Sequence, residues 1–173
     1  MDVSAWVLDD GDEVVVGGRV SADGLRLAPT ADPRMREPEP YWDLGIDLAP
    51  AASPGLVTVT GRWDGRGLSG VSAGPLAGPS GFTFEVGTGV RLFDGTVGPP
   101  KQRDVDRVQE VLDAEASACG LAMTGETVGV DGRPRVVAWL RQVTPALAER
   151  LVGCHPTVLA LDVWLRPGAS PGA

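Results

Sequence analysis

Glycine and proline interrupt this chain so often that long helices are excluded over most of it. The 173 residues include 24 Gly and 15 Pro, and both residue types break regular elements and favour tight turns. What fits between such breaks is a set of short strands. Residues 13–20 (Glu-Val-Val-Val-Gly-Gly-Arg-Val) carry three consecutive β-branched residues, as a buried strand does. Asp9-Asp10-Gly11-Asp12 before them is a turn signal, which makes Trp6-Val7-Leu8 a short preceding strand. Ser21-Ala22-Asp23-Gly24 is a second turn, and Leu25-Arg26-Leu27 alternates after it. The clearest period-2 segment is Trp42 to Leu48, where Trp42, Leu44, Ile46 and Leu48 alternate with Asp43, Gly45 and Asp47. It predicts a half-buried strand with Asp43 and Asp47 on the wet face. Between these strands, residues 28–40 hold Pro29, Pro33, Pro38 and Pro40 among five charged residues and read as a long surface loop.

Leu56 to Thr60 is a further strand, Asp64-Gly65 a hairpin turn, and Leu68 and Val71 lie on its return arm. The segment Val-Thr-Val-Thr-Gly-Arg-Trp-Asp-Gly resembles the third strand and turn of small OB-type barrels. That resemblance lies within residues 55–74 and implies a small barrel. Phe82 to Val86 and Val90 to Phe93 read as strands, and Gly95 to Lys101 as a linker.

Helical spacing emerges only later. Val105, Val108, Leu112 and Cys119 form an apolar stripe that Asp104 can cap and Gly120 can end. Asp131-Gly132 joins strands at Thr127–Val130 and Arg135–Val143. Thr144-Pro145 is a cap and first-turn pair that opens a helix from Ala146 to Val152. Thr157 to Leu165 reads as a buried strand. The expectation is an α+β protein: a β-rich N-terminal barrel or sandwich, OB-like in one reading, over residues 1–98. A helix–hairpin–helix–strand unit follows over 99–173, ending in a frayed tail at 166–173. Whether the two parts share one core is left open.

Charge divides along the same line. The formal net charge is −8. Residues 1–98 carry seven Arg against fourteen Asp and Glu, whereas 99–173 carry eight basic against nine acidic residues. Phosphate contacts dominate nucleic-acid affinity, so this acidic first part argues against nucleic acid and suits a basic protein partner. Fourteen of the fifteen basic residues are Arg, scattered without a motif. The opening Met-Asp-Val-Ser lacks the basic start of a secretory signal, and no apolar run reaches membrane-span length. A cytoplasmic protein is expected, with no membrane association.

Four chemical motifs are tempting and fail. Gly70-Val71-Ser72-Ala73-Gly74 matches G-x-S-x-G, but no helix can follow Gly74-Pro75, and Arg66 to Ser69 is not read as a core strand. His155, the sole histidine, has Cys154 beside it but no further metal ligands at usable spacing. The acids from Asp9 to Glu13 lack a glutamate at the distal calcium-loop position, where Val20 stands. In Gly95 to Lys101 two prolines remove the N–H groups that a phosphate loop needs. No catalytic residue, metal ligand or cofactor is therefore assigned. Cys119 and Cys154 are too few for a disulfide scaffold.

What remains is a binding surface. Glu37, Glu39, Tyr41, Trp42, Asp43, Asp47 and Trp63 are its candidate residues. They point to a non-catalytic protein-binding module of inhibitor, immunity or adaptor type that presents an acidic face. A second reading is a barrel that binds single-stranded nucleic acid or oligosaccharide through exposed aromatics. A third is a carboxylate-dependent enzyme.

Overall fold

The computed structural model describes residues 3–30, 39–82, 100–128, 132, 134–155 and 157–168. The chain is mixed α+β and forms two compact units. Among the described residues, one unit comprises 8–82 with 164–168 and the other 3–7 with 100–163. The ends are thus exchanged relative to a cut near residue 98. The first residues belong with the helices, and residues 164–168 belong with the barrel instead of forming a free tail.

The first unit is a closed five-stranded barrel. Its strands are β1 (Glu13–Val20), β2 (Arg26–Ala28), β3 (Ile46–Ala49), β4 (Gly55–Trp63) and β5 (Gly67–Pro75). Around the barrel they run β1-β2-β3-β5-β4, and β4 pairs back to β1 along all of β1. Every pair is antiparallel except β3 with β5. A small five-stranded barrel with strands out of sequence order has the Greek-key character of OB-type barrels. The Val-Thr-Val-Thr-Gly segment lies in β4, not in a third strand. Alternation works as strand geometry requires: Val14, Val16 and Val20 on β1, Ile46 and Leu48 on β3, and Leu68 on β5 are all buried. Gly67–Ser69 do enter a core strand, β5, with Leu68 buried, contrary to the expectation that this flank is not one.

Two sequence-based strands take other forms. Trp6-Val7-Leu8 is not a strand: Val3–Trp6 is a 3-10 turn, and Val7 makes a single parallel bridge to Val143. The alternating stretch 42–48 splits at Gly45 into a 3-10 turn, Trp42–Leu44, and β3. The Arg26 guanidinium causes the break by donating to both Trp42 O and Gly45 O at 3.2 Å, which curls the chain before β3 begins. The expected strands at 82–86 and 90–93, the linker at 95–101 and the turn at Asp131 lie largely outside the described residues.

The second unit holds α1 (Gln102–Cys119), β6 (Leu121–Val128), β7 (Pro134–Leu140), α2 (Pro145–Val152) and β8 (Leu159–Val163). The sheet order is β6-β7-β8, with an antiparallel hairpin and then a parallel pair joined through α2. Asp104 serves α1 from its third position, accepting the Lys101 N–H at 2.7 Å; the N-cap itself is Lys101. Gly120 ends α1 with φ +62, a left-handed conformation suited to glycine. Thr144 Oγ1 accepts the Leu147 N–H at 3.1 Å and Pro145 opens α2, as its sequence foretells. Val108 and Leu112 of α1 pack with Ala138 of β7, Leu147 of α2 and Leu161 of β8 in one core. Glu115 on α1 pairs with Arg150 on α2 at 3.1 Å. No described helix is long and apolar enough to cross a membrane.

Candidate functional surface

The barrel concentrates exposed chemistry on the outer side of β2, β3 and β5. Arg26 and Asp47 are register partners there, with Nε and Oδ1 3.9 Å apart. The Asp47 side chain remains 78% exposed, so the pair leaves the carboxylate open to solvent. On its other side Asp47 faces Gly67 across the parallel pair. Gly67 has no side chain, and a Cβ placed there would lie 2.3 Å from Asp47 O. The two backbones therefore come together closely, and the strand junction stays low.

The β4–β5 turn builds the next wall. Asp64 Oδ1 accepts the N–H groups of Arg66 and Gly67 at 3.0 and 2.8 Å, and Gly65 takes φ +87. Those bonds, that of Gly67 foremost, hold the Asp64 carboxyl below the usual aspartate range. The result is an open groove of about 270 Å³ lined by Asp47, Leu48, Ala49, Asp64, Arg66, Gly67 and Leu68. Nearby, Leu25 is 50% and Trp42 37% exposed, and Arg26 fastens the Trp42 turn to the β2–β3 edge. In the β1–β2 turn the Asp23 carboxylate accepts from Ser21 Oγ and from the Leu25 N–H, and the Ser21 bond leads in holding its pKa down. Asp23 and Asp64 thus stay ionised at more acidic pH than an ordinary aspartate.

The sequence candidates separate. Trp42, Asp43 and Asp47 are exposed on or beside this face, and Glu39 is exposed on the approach to it. Tyr41 is half-buried, its ring edge-on to Phe82 with centroids 6.1 Å apart, and its N–H donates to Pro29 O; it anchors the chain. Trp63 is 5% exposed, paired with Leu68 across β4 and β5, so its ring belongs to the barrel interior and not to a binding face. Glu37 lies outside the described residues. Arg26, Arg66 and Gly67 were not legible as site residues, and Asp64 was read only as a turn. Arg26 meets Asp47 through the antiparallel β2–β3 pair, and the Asp64–Gly67 turn meets it because β3 and β5 pair in parallel, which no local pattern encodes.

No family model, curated protein or solved structure matches this chain.

The rejected motifs have settled positions. Ser72 stands in the middle of β5, exposed and opposite Thr60, not on the strand-to-helix turn that a nucleophile elbow uses. The Asp9 N–H donates to Asp12 Oδ2, forming a turn. Among the described residues no group of three or more His, Cys, Asp or Glu is placed to hold a metal ion. His155 Nδ1 lies 3.4 Å from the Thr157 N–H nitrogen, just beyond α2. Burial pushes the Cys119 thiol up to about 11 and raises that of Cys154. That shift leaves Cys119 at pH 8 with about a hundredfold less thiolate, the reacting species, than an ordinary thiol. Iodoacetamide labelling followed by mass spectrometry is expected to modify Cys119 at least that much more slowly in the folded protein than in denaturant. Equal rates would show that the α1 core opens freely.

Proposed function

We propose that this chain is a non-catalytic protein-binding module, of inhibitor, immunity or adaptor type, that takes a basic segment of its partner across the β2–β3–β5 face. The observation that carries this reading is the groove between Asp47 and Asp64, with Trp42 and Leu25 exposed nearby. An apolar patch supplies buried area, while carboxylates at the rim steer and orient a cationic partner. The excess of acids over the first 98 residues adds a field of the same sign. Arg26 and Arg66 give the face an uneven charge, which sets register more than strength.

The test is a peptide array probed with the full chain. Retained peptides are expected to be rich in Lys and Arg. Affinity is expected to fall with added salt, and Asp47→Lys to reduce it by about tenfold or more, mainly through slower association. Retained peptides with no basic bias, or binding indifferent to Asp47→Lys, would defeat the reading.

A second reading rests on Trp42 alone. Five-stranded barrels of OB type take oligonucleotides and oligosaccharides on the face of strands two and three. An acidic face repels phosphate, so oligosaccharide is the better ligand of the two. Tryptophan fluorescence titration with neutral oligosaccharides and with single-stranded oligonucleotides separates these ligands, and Trp42→Phe must abolish the signal. Release of reducing ends during the titration would assign the carboxylates of the groove to an enzyme instead.

A further inference from the structure

The face proposed above for a basic partner carries a cation of its own. Arg26 stands on β2 in register with Asp47 on β3, and its side chain is 46% exposed. Its charge repels the partner that the carboxylates attract. The bonds it makes show what it is placed for. Nη2 donates to Trp42 O and to Gly45 O, both at 3.2 Å, and Nε lies 3.9 Å from Asp47 Oδ1. One guanidinium thus reaches the carbonyls at both ends of the Trp42 turn and the carboxylate beside it. Gly45 leaves room for this, since a Cβ there would lie 3.4 Å from Nη2 and 3.0 Å from Trp42 O. The turn itself spans only Trp42–Leu44, and no side chain caps its start. Its internal bonds run from the Leu44 N–H to Tyr41 O and from the Gly45 N–H to Trp42 O.

We propose that Arg26 is the positioning residue of the partner face: it holds the exposed Trp42 and the Asp47 carboxylate in one arrangement, so that a partner meets its apolar and its anionic contact already in place. This rests on the basic-partner reading and deepens it. A preformed surface spares the partner the ordering cost that a loose turn would impose. The task suits arginine, whose rigid fork of N–H groups can serve two carbonyls and a carboxylate together. A lysine ammonium carries the same charge on a flexible stem as a compact point. Charge and position therefore predict opposite signs. If Arg26 acted only as a charge, its removal would tighten the binding of a cation; as a clamp, its removal loosens it. Arg66 is the comparison, because it lines the same groove with the same charge and makes none of the bonds that hold the Trp42 turn.

The probe is a fluorescent Lys- and Arg-rich peptide retained by the array, followed by stopped-flow anisotropy against the full chain. Arg66→Gln is expected to bind about two- to threefold more tightly, through faster association. Arg26→Gln loses the same charge yet is expected to bind about fivefold more weakly, through faster dissociation. Arg26→Lys keeps the charge and is expected to weaken binding by a similar factor. Acrylamide quenching gives a readout that needs no partner. Trp42 is 37% exposed and the other four tryptophans 5–8%, so quenching reports chiefly on Trp42. It is expected to rise in both Arg26 variants and to stay at the wild-type level in Arg66→Gln. Circular dichroism confirms folding, and should Arg26→Gln unfold, Arg26→Lys carries the test. Equal quenching in all four proteins, or Arg26→Gln binding as tightly as Arg66→Gln, would overturn the proposal and leave the basic-partner reading standing. Retained peptides with no basic bias would remove both.

Discussion

Phe82→Ala is expected to cost the barrel about 3–5 kcal/mol, the range for emptying a fully buried aromatic site. Among the described residues Phe82 is the bulkiest side chain with no exposure, and its ring packs edge-on with that of Tyr41. Its neighbourhood has little freedom to collapse into the space left behind. Gly81, one residue earlier, bridges Thr30, and a Cβ there would lie 2.2 Å from Thr30 O. The hydroxyls of Thr30 and Ser80 bond to each other at 2.8 Å, both buried. Loss of the ring thus leaves a cavity beside a polar pair that tolerates no displacement. Loosening of Tyr41 follows, and with it the base of the Trp42 turn. Urea unfolding followed by tryptophan fluorescence measures the loss, with Leu76→Ala as control. Leu76 is 37% exposed, so its truncation is expected to change stability far less. A cost for Phe82→Ala below about 1 kcal/mol would mean that the site repacks, and the rigid account of this end of the barrel would fail.

Much of this fold was legible because it is written in short periods. Val14, Val16 and Val20 alternate inward on one strand, Ile46 and Leu48 flank an outward Asp47, and Thr144-Pro145 starts a helix where a cap and a fixed φ call for one. Each of those signals needs only neighbours within a few residues. What was misread depends on partners far along the chain. The strand expected from Trp42 is cut by Arg26, sixteen residues earlier. The local pattern ends a strand at Leu165 and predicts a frayed tail from 166, yet Trp164 bonds to Gly17 across 147 positions. Trp63 is buried in the barrel, and its parity on β4 alone does not say which side of a closed barrel is inside. Half of the candidate site was visible in the same way. Asp43 and Asp47 follow from alternation, which sets Trp42 on the apolar face with Ile46 and Leu48 although its side chain is exposed, while Arg66 and Gly67 join them only through the parallel pairing of β3 with β5.

Two glycines on β5 turn that difference into a measurement. Gly67 stands between Arg66 and Leu68 and Gly74 between Ala73 and Pro75, and neither setting tells whether another backbone comes close. In the fold they are opposites. A Cβ at Gly67 would meet Asp47 O at 2.3 Å, whereas one at Gly74 would meet nothing within 4 Å. Neither has the positive φ that would strain a side chain, so space alone separates them. Gly67→Ala is expected to lose about 1–3 kcal/mol, because the obstacle is a backbone carbonyl that cannot rotate away as a side chain could. Gly74→Ala is expected to be neutral or to gain about 0.4–1 kcal/mol from a less flexible unfolded chain. The loss at position 67 falls on the pairs Asp47–Gly67, Leu48–Leu68 and Ala49–Ser69, the whole junction between β3 and β5. All of those residues but Ser69 also line the groove, so Gly67→Ala is expected to weaken whatever the groove binds even under conditions where the variant remains folded, while Gly74→Ala leaves binding unchanged. Amide hydrogen exchange locates the effect: protection should fall at β3 and the start of β5 for Gly67→Ala and nowhere for Gly74→Ala. If the two variants proved equally stable, the close parallel approach of β3 to β5 would be wrong, and the groove built on it would have no floor.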